Sequence, residues 1–217
     1  MALTASKMLP LGTRAPDFRL PDTVSGRTLA LADLKSEIAT VVMFICNHCP
    51  YVKHVNPELI RLARDYQKRG VAFIAISSND AERYPEDGPE QMRRVAAQLG
   101  YPFPYLYDET QAVARAYQAA CTPDLYVFNG QLELVYRGCL DGSTPGNGVP
   151  LTGADLRAAL DAVLAGRPVD PSAIRRCAIL AVEGENDDIS GVGQTKAALD
   201  LTPNLPDSRK AYHLQDK

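Results

Sequence analysis

A run of apolar residues that ends in two closely spaced cysteines is the feature that most constrains the fold. Residues 40–45 (TVVMFI) are rich in β-branched side chains and do not alternate, which predicts a central strand buried on both faces. The box CNHC (residues 46–49) follows. After Pro50, apolar residues recur with a helical period over residues 52–69. This succession places both sulfurs between a buried strand and the start of a helix.

The spacing inside the box points to thiol chemistry. Unpaired N–H groups and the dipole at a helix N-terminus favour a thiolate on the first cysteine, Cys46. The two-residue spacing lets the Cys49 sulfur reach it, and His48 adds a positive charge. We therefore expect a lowered pKa at Cys46 and a reversible disulfide with Cys49. Stabilising the reduced form makes that disulfide a stronger oxidant, whereas a reducing compartment would keep the pair mostly as the dithiol, so the net direction of the reaction stays open.

Two other interpretations of the box stay open at this stage. A zinc site needs about four ligands, and Cys46 and Cys49 with either His48 or His54 supply only part of a set. The sequence has no second Cys-x-x-Cys and no His-x-x-x-His. The cysteines could instead be buried small hydrophobic residues, although an exposed helix start is a poor place for them. The favoured prediction is therefore a redox site without a metal or another cofactor.

Strands and helices alternate along the rest of the chain. Residues 71–77 (VAFIAIS) predict a second buried strand, parallel to the first because a helix connects them. Asn129-Gly130 between two apolar segments predicts a hairpin that adds an antiparallel edge. Pro57, preceded by Asn56, predicts a kink or a restart in the long helix. The sequence thus predicts an α/β fold with a mixed central sheet and flanking helices.

The helical and strand signals fade after residue 166. The segment 183–191 (EGENDDISG) is polar and acidic, and residues 192–217 hold short apolar clusters without a clear period. We expect one domain over residues 1–170 and a partly ordered C-terminal extension over residues 171–217.

Composition excludes several classes of partner. The net charge of −3 offers no basic surface for nucleic acid, and the apolar runs are far too short to span a membrane. Residues 1–12 lack the apolar core of a secretory signal, so we expect a cytoplasmic protein. Structural disulfides are rare in that compartment. We therefore expect the five cysteines to be free, catalytic or metal-bound.

Motifs spread over residues 10–177 resemble those of a known family. The segments APDF (residues 15–18) and LPD (residues 20–22) are similar to the opening of the redoxins, the group with alkyl hydroperoxide reductase and thiol-specific antioxidant. CNHCPYVKHV, SSNDAERYPEDGPEQM, CTPDLYVF and YRGCLD together resemble a peroxiredoxin-like branch with a Cys-x-x-Cys motif. The resemblance implies a thioredoxin-like fold with an N-terminal redoxin-type extension and a C-terminal tail.

The resemblance also implies roles for individual residues. Cys46 would be the nucleophile and Cys49 the resolving thiol. Pro123 would be a cis-proline that faces the pair, and the backbone of Thr122 would dock an extended substrate. Cys121 would lie near the pair as an auxiliary thiol; the alternative is a buried cysteine that ends a helix.

The expected function is that of a thiol–disulfide oxidoreductase. Its partners would be a protein or small-molecule disulfide and a thiol reductant, and His48 would tune Cys46. A thiol-dependent peroxidase is one alternative, but Met43 occupies the position at which peroxiredoxins carry a threonine before the reactive cysteine. A non-catalytic zinc-binding or adaptor module is another.

Two features of the surroundings add expectations. Thioredoxins keep a buried acid on the strand before the motif, and residues 40–45 contain none. Residues 82–90 form an acidic segment, for which a solvated loop is favoured over a role in flanking the redox site and selecting substrates.

Overall fold

The computed structural model describes residues 3–5, 9–170 and 178–180, and it describes side chains for residues 9–170. The strands are β1 (Leu3–Ala5), β2 (Arg19–Pro21), β3 (Thr28–Ala30), β4 (Ala39–Phe44), β5 (Val71–Ser77), β6 (Tyr105–Tyr107), β7 (Asp124–Asn129), β8 (Leu134–Gly138) and β9 (Ala178–Leu180). The helices are α1 (Leu31–Leu34), α2 (Pro50–Gln67), α3 (Pro89–Leu99), α4 (Ala112–Ala116) and α5 (Ala154–Leu164), with a 3₁₀ turn at Pro85–Asp87.

A five-stranded mixed sheet forms the centre, in the order β6-β5-β4-β7-β8. β4 pairs in parallel with β5 and antiparallel with β7, and β7 and β8 form the closing antiparallel hairpin. The predicted mixed sheet, the parallel crossover and the hairpin are therefore confirmed. β2 and β3 form a separate antiparallel pair before the sheet begins.

The central strand β4 is buried on both faces, as its unbroken apolar run predicts. Val41 and Met43 join the core beneath α2 and α5. Val42 and Phe44 join the core on the other side, with α4 and the N-terminal segment. A strand held from both sides is a rigid support for the residues at its C-terminal end, where the CNHC box begins.

The long helix α2 runs without interruption through Pro57. Of the two predicted alternatives, the restart is therefore wrong, and the kink stays a prediction. A proline inside a helix costs about 3 kcal/mol, but α2 buries Val52, Leu59 and Leu62 completely against the sheet. Burial of that apolar stripe offsets the missing backbone hydrogen bond.

The C-terminal extension predicted over residues 171–217 lies outside the described residues, except for β9. That strand pairs antiparallel with β1 near the other end of the chain. Within the described part, no helix combines the length and the apolar character that crossing a bilayer would require.

Candidate active site

The CNHC box connects β4 to α2, as the sequence predicts. Cys49 is the N-cap of α2, with φ −60° and ψ 121°, and Pro50 is the first helical residue. Proline suits this position because its missing N–H would have no partner there. Cys46 and Cys49 are free thiols, and only 1% of the surface of each is exposed.

Thr122 contacts both sulfurs from the start of the segment that leads into β7. Its Oγ1 lies 3.3 Å from Cys46 Sγ, and its carbonyl oxygen lies 3.3 Å from Cys49 Sγ. The Thr122–Pro123 peptide bond is cis, which confirms the prediction for this bond. The structure thus brings Thr122 to the two cysteines of the box, from which it is separated by 76 and 73 residues in the chain.

The two sulfurs share one negative charge. A hydrogen bond from Cys46 lowers the pKa of Cys49 to about 6 against the effect of burial, with further support from the backbone N–H groups of Val52 and Tyr51. The same hydrogen bond raises the pKa of Cys46, as do burial and the Asp87 carboxylate. The sequence argument placed the lowered pKa at Cys46. The structure differs because the N–H groups of the first turn of α2 face its N-cap residue, Cys49.

Asp87 makes four hydrogen bonds, three of which fix the middle of the box. Its Oδ1 accepts from the backbone N–H groups of Asn47 (2.6 Å) and His48 (3.1 Å). Its Oδ2 contacts His48 Nδ1 (2.5 Å) and accepts from Asn79 Nδ2 (2.7 Å). The Asp87 side chain is completely buried, so the box is held by a carboxylate that water does not reach.

His48 and Asp87 form an ion pair beside the sulfurs when His48 is protonated. The hydrogen bond that His48 donates to Asp87 raises the pKa of His48, although burial opposes this. Burial raises the pKa of Asp87, but the hydrogen bonds from His48 and Asn79 leave it below its usual value. A raised pKa extends the pH range over which His48 is an imidazolium, and a positive charge stabilises a thiolate nearby.

The segment predicted as a solvated loop instead closes one side of the site. Tyr84 stacks on His48 with a centroid distance of 4.3 Å and an interplanar angle of 4°. The Glu86 carbonyl accepts a hydrogen bond from Asn47 Nδ2 (2.6 Å), and Tyr105 donates its hydroxyl to Asn47 Oδ1 (3.2 Å). Sequence reasoning missed Asp87 and Tyr84. The sequence held one signal for Asp87. Residues 40–45 contain no acidic residue, so a carboxylate near the cysteines had to come from another part of the chain.

Cys46, His48 and Asp87 carry side-chain atoms of the kinds that bind metal ions. Ligand atoms of Cys46, His48 and Asp87 lie within 4.8 Å of one another. Both carboxylate oxygens of Asp87 are already occupied by hydrogen bonds, so a metal here would displace at least one of them. His54, the other histidine considered for zinc, hydrogen-bonds Ser143 Oγ (2.8 Å) and is not part of this cluster.

The structure places two further cysteines, Cys121 and Cys139, next to each other. Cys121 is a buried free thiol that packs against Tyr51 and Cys139. Cys139, directly after β8, is disulfide-bonded. The expectation that the cysteines are free, catalytic or metal-bound is therefore wrong for Cys139. Composition and an inferred compartment do not reveal which sulfurs the tertiary fold brings into contact.

We expect the reduced protein to carry a thiolate at neutral pH. Because the pKa of Cys49 is about 6, the thiolate should appear as pH rises through that value, well below the about 8.5 of a free cysteine. Ultraviolet absorbance of the thiolate, recorded against pH, measures this directly. A Cys49→Ser variant should lose the transition. A wild-type transition only near the value of a free cysteine would contradict the assignment.

Comparison with known families gives one match that covers most of the sheet. The model of the AhpC/TSA family matches residues 11–137, more than half of the chain. A second model, described as the PHB de-polymerase C-terminus, matches residues 157–217. No curated protein matches the chain.

Solved structures resemble the chain over most of its length. An uncharacterized conserved protein from Geobacillus kaustophilus is 57% identical with a TM-score of 0.82, over 86% of this chain and 98% of that one. A hypothetical protein from Sinorhizobium meliloti 1021 is 45% identical with a TM-score of 0.78, over 83% and 100%. A thiol:disulfide interchange protein, of the thioredoxin family, from Chlorobium tepidum TLS is 18% identical with a TM-score of 0.55, over 72% and 99%. The last likeness concerns the fold alone, and with the family match it confirms the predicted thioredoxin-like fold.

Proposed function

Since the chain belongs to the AhpC/TSA family and has a thioredoxin-like fold, we propose that it is a thiol–disulfide oxidoreductase whose redox pair is Cys46 and Cys49. One observation carries the proposal: two free sulfurs at the N-terminus of α2 share one charge and both contact Thr122. Family membership supports a redox role, and the geometry supports this pair as the place where it occurs.

In the proposed reaction the Cys46 sulfur attacks a substrate disulfide. Its proton first moves along the Cys46–Cys49 hydrogen bond to Cys49, and the Thr122 hydroxyl opposes the raised pKa of Cys46. The attack forms a mixed disulfide and releases one substrate thiolate, which takes up a proton. Cys49 then loses its proton and attacks Cys46, which releases the second substrate thiol. The substrate gains two electrons and two protons, and the pair becomes a disulfide.

His48 acts in this scheme as a residue that tunes the pair and does not transfer the proton. Its imidazolium, held by Asp87 beside the sulfurs, stabilises the thiolate and so stabilises the reduced form. A stabilised reduced form makes the Cys46–Cys49 disulfide a stronger oxidant.

The partners follow from the same geometry. An extended disulfide substrate would dock along the backbone of Thr122 and Pro123, and a thiol reductant would return the pair to the dithiol. Both sulfurs are almost completely buried, so the substrate has to present its sulfur on a narrow, extended segment. The cytoplasmic location expected from the sequence stays a prediction.

A thiol peroxidase is the second candidate function. Met43 is buried in β4, so the hydroxyl that peroxiredoxins use is missing there. The Thr122 hydroxyl, 3.3 Å from Cys46 Sγ, is the observation that favours this candidate. Peroxide consumption should then require Cys46, and consumption that survives Cys46→Ser would reject Cys46 as the peroxide-reacting residue.

Trapping a mixed disulfide tests the main proposal. A Cys49→Ser variant incubated with a disulfide-linked peptide should accumulate a covalent complex through Cys46, because the resolving thiol is missing. Mass spectrometry of the digested complex identifies the attached cysteine. The matched control, Cys46→Ser, should accumulate no such complex. A complex through Cys49 in the control alone would exchange the two roles, and a lack of complex in both variants would contradict the pair as the site.

A further inference from the structure

We propose that the reduced protein binds a divalent cation with the ligand preferences of zinc through Cys46, His48 and Asp87, and that this cation and the Cys46–Cys49 disulfide exclude each other. The cation site itself requires only the three side chains. Its use as a control of the redox pair rests on the proposed function. The two proposals make separate predictions and can therefore fail separately.

The three ligand groups come from two distant parts of the chain. A sulfur, a ring nitrogen and a carboxylate oxygen of Cys46, His48 and Asp87 lie within 4.8 Å of one another. Sequence reasoning found only part of a ligand set, because Asp87 lies 39 residues after His48. Zinc binds thiolate, imidazole and carboxylate ligands in proteins, whereas Mg²⁺ and Ca²⁺ prefer sites built from oxygen. The three groups therefore favour zinc over the hard cations.

Each of the three groups is held in place by a contact of its own. Thr122 Oγ1 lies 3.3 Å from Cys46 Sγ, and Tyr84 stacks on the His48 ring. Two backbone N–H groups of the box donate to Asp87 Oδ1. Such outer contacts orient metal ligands and raise the affinity of a site for its cation. The cluster is thus a supported set of ligands.

A cation at this place would replace one hydrogen bond of Asp87 and leave both bonds to the backbone. Asp87 Oδ2 contacts His48 Nδ1 at 2.5 Å, and the cation would take the place of the hydrogen between these atoms. Zinc–ligand bonds of about 2.0–2.3 Å set the ligand atoms of a tetrahedral site about 3.3–3.8 Å apart, so the two side chains would separate. The His48 side chain is 16% exposed, so it would move outward and open a path from solvent.

Asn79 offers the fourth ligand atom. The residue is 4% exposed, and among the residues that the structure describes its Oδ1 has no hydrogen-bond partner. Its Nδ2 lies 2.7 Å from Asp87 Oδ2 and 3.4 Å from His48 Nδ1. A half-turn of the amide would put Oδ1 in the place of Nδ2. Without a cation the amide nitrogen donates to the carboxylate, and with one the amide oxygen would complete a set of four ligands.

The cation and the oxidation of the pair compete for the Cys46 sulfur. The cation binds this sulfur as a thiolate, and the thiol proton passes to solvent. When a disulfide substrate oxidises the pair, the substrate gains two electrons and two protons, and the Cys46 sulfur forms a bond to Cys49. That sulfur is then no longer a thiolate, so oxidation would release the cation. Conversely, a bound cation would keep the pair reduced and would block attack on a substrate.

Zinc binding by the reduced, full-length protein tests the site without a measurement of activity. Calorimetric titration in the absence of air should give one bound zinc ion that the protein with an oxidised Cys46–Cys49 pair does not bind. Co²⁺ in the place of zinc should show the ultraviolet absorption of a cobalt–thiolate bond. Cys46→Ser should abolish that absorption, because Cys46 is the sulfur ligand of the site.

Three further variants separate this site from chelation by the two cysteines alone. Cys49→Ser keeps all the proposed ligands, so it should still bind zinc and show the cobalt–thiolate absorption. His48→Phe keeps a ring for Tyr84 to stack on but has no ring nitrogen. It should weaken zinc binding at least about 10-fold, because loss of even an outer contact costs about 10–100-fold in affinity. The matched control is His54→Phe, at a histidine of α2 outside the cluster, which should leave the affinity unchanged.

Two results would each overturn the cation site: a loss of zinc binding in Cys49→Ser, or an unchanged affinity in His48→Phe. Thermal unfolding establishes that the variants are folded. In either case, Cys49→Ser that still traps a disulfide-linked peptide on Cys46 would leave the proposed function standing. The control of the pair has its own test. Zinc should slow this trapping and a chelator should restore it, whereas equally fast trapping by the zinc-bound variant would overturn the control.

Discussion

Replacing Asp87 by asparagine should destabilise the fold and lower the pKa of His48. The new amide keeps one oxygen for the backbone N–H groups of Asn47 and His48, which now contact Oδ1. Its NH₂ group then faces His48 Nδ1 and Asn79 Nδ2, where the native carboxylate has an oxygen. A buried polar group left without its partner costs about 1–3 kcal/mol.

The loss of stability in Asp87→Asn should depend on pH, and the pKa shifts of His48 and Asp87 set the direction of that dependence. The pKa of His48 is raised in the folded state, so its contribution is fully present below its unfolded value of about 6.5 and is lost as pH rises through the raised value. The pKa of Asp87 is lowered, so its contribution is present above about 3.9 and is lost as pH falls through the lowered value. Asp87→Asn should therefore lower the free energy of unfolding most between about pH 4 and about pH 6.5.

Urea unfolding at several pH values, together with an NMR titration of His48, measures both effects. Glu82→Gln is the matched control because it removes one negative charge from an exposed residue of the same segment. The control should change neither the free energy of unfolding nor the pKa of His48 appreciably. A pKa of His48 in Asp87→Asn that equals the wild-type value would contradict the claim that Asp87 raises the pKa of His48.

Asp124→Asn should have a still larger effect on stability. Asp124 begins β7 directly after the cis-proline, and its carboxylate contacts Arg137 Nη2 at 2.7 Å. The two side chains are 2% and 0% exposed, respectively. Tyr126 also donates its hydroxyl to Asp124 (3.1 Å), and the guanidinium lies 4.6 Å from the centre of its ring. Removing the carboxylate leaves a buried positive charge, which costs about 3–5 kcal/mol.

A second substitution separates charge burial from general damage at this position. Asp124→Asn combined with Arg137→Met removes both charges, so it should recover part of the lost free energy of unfolding, which urea denaturation measures. A double variant less stable than Asp124→Asn alone would contradict the ion-pair explanation. Asp124 directly follows Thr122–Pro123. The Asp124–Arg137 ion pair therefore also anchors the segment that contacts the two sulfurs.

The architecture could be predicted because its signals are local in the sequence. The unbroken apolar run of residues 40–45 indicated the central strand, and the helical period after Pro50 indicated α2. The strand–helix–strand order then fixed parallel pairing. The restart expected at Pro57 was wrong because the packing of α2 against the sheet, which offsets the cost of the proline, is a tertiary property.

The surroundings of the box could be predicted only in part. The contact with Thr122 followed from the family resemblance, since 73 or more residues separate it from the two cysteines. Asp87 lies 39 residues after His48, in a segment whose charges suggested exposure. The choice of Cys49 for the lower pKa depends on which N–H groups face which sulfur. The spacing of two cysteines does not contain that information.

A redox titration of the full chain tests the central claim most directly. The protein is equilibrated in thiol–disulfide buffers of graded potential, alkylated, and mapped by mass spectrometry. The proposed function predicts a reversible Cys46–Cys49 disulfide with a single two-electron transition, at a potential more oxidising than the about −270 mV of thioredoxin. Cys46 and Cys49 that stay alkylated as free thiols at every potential would contradict it.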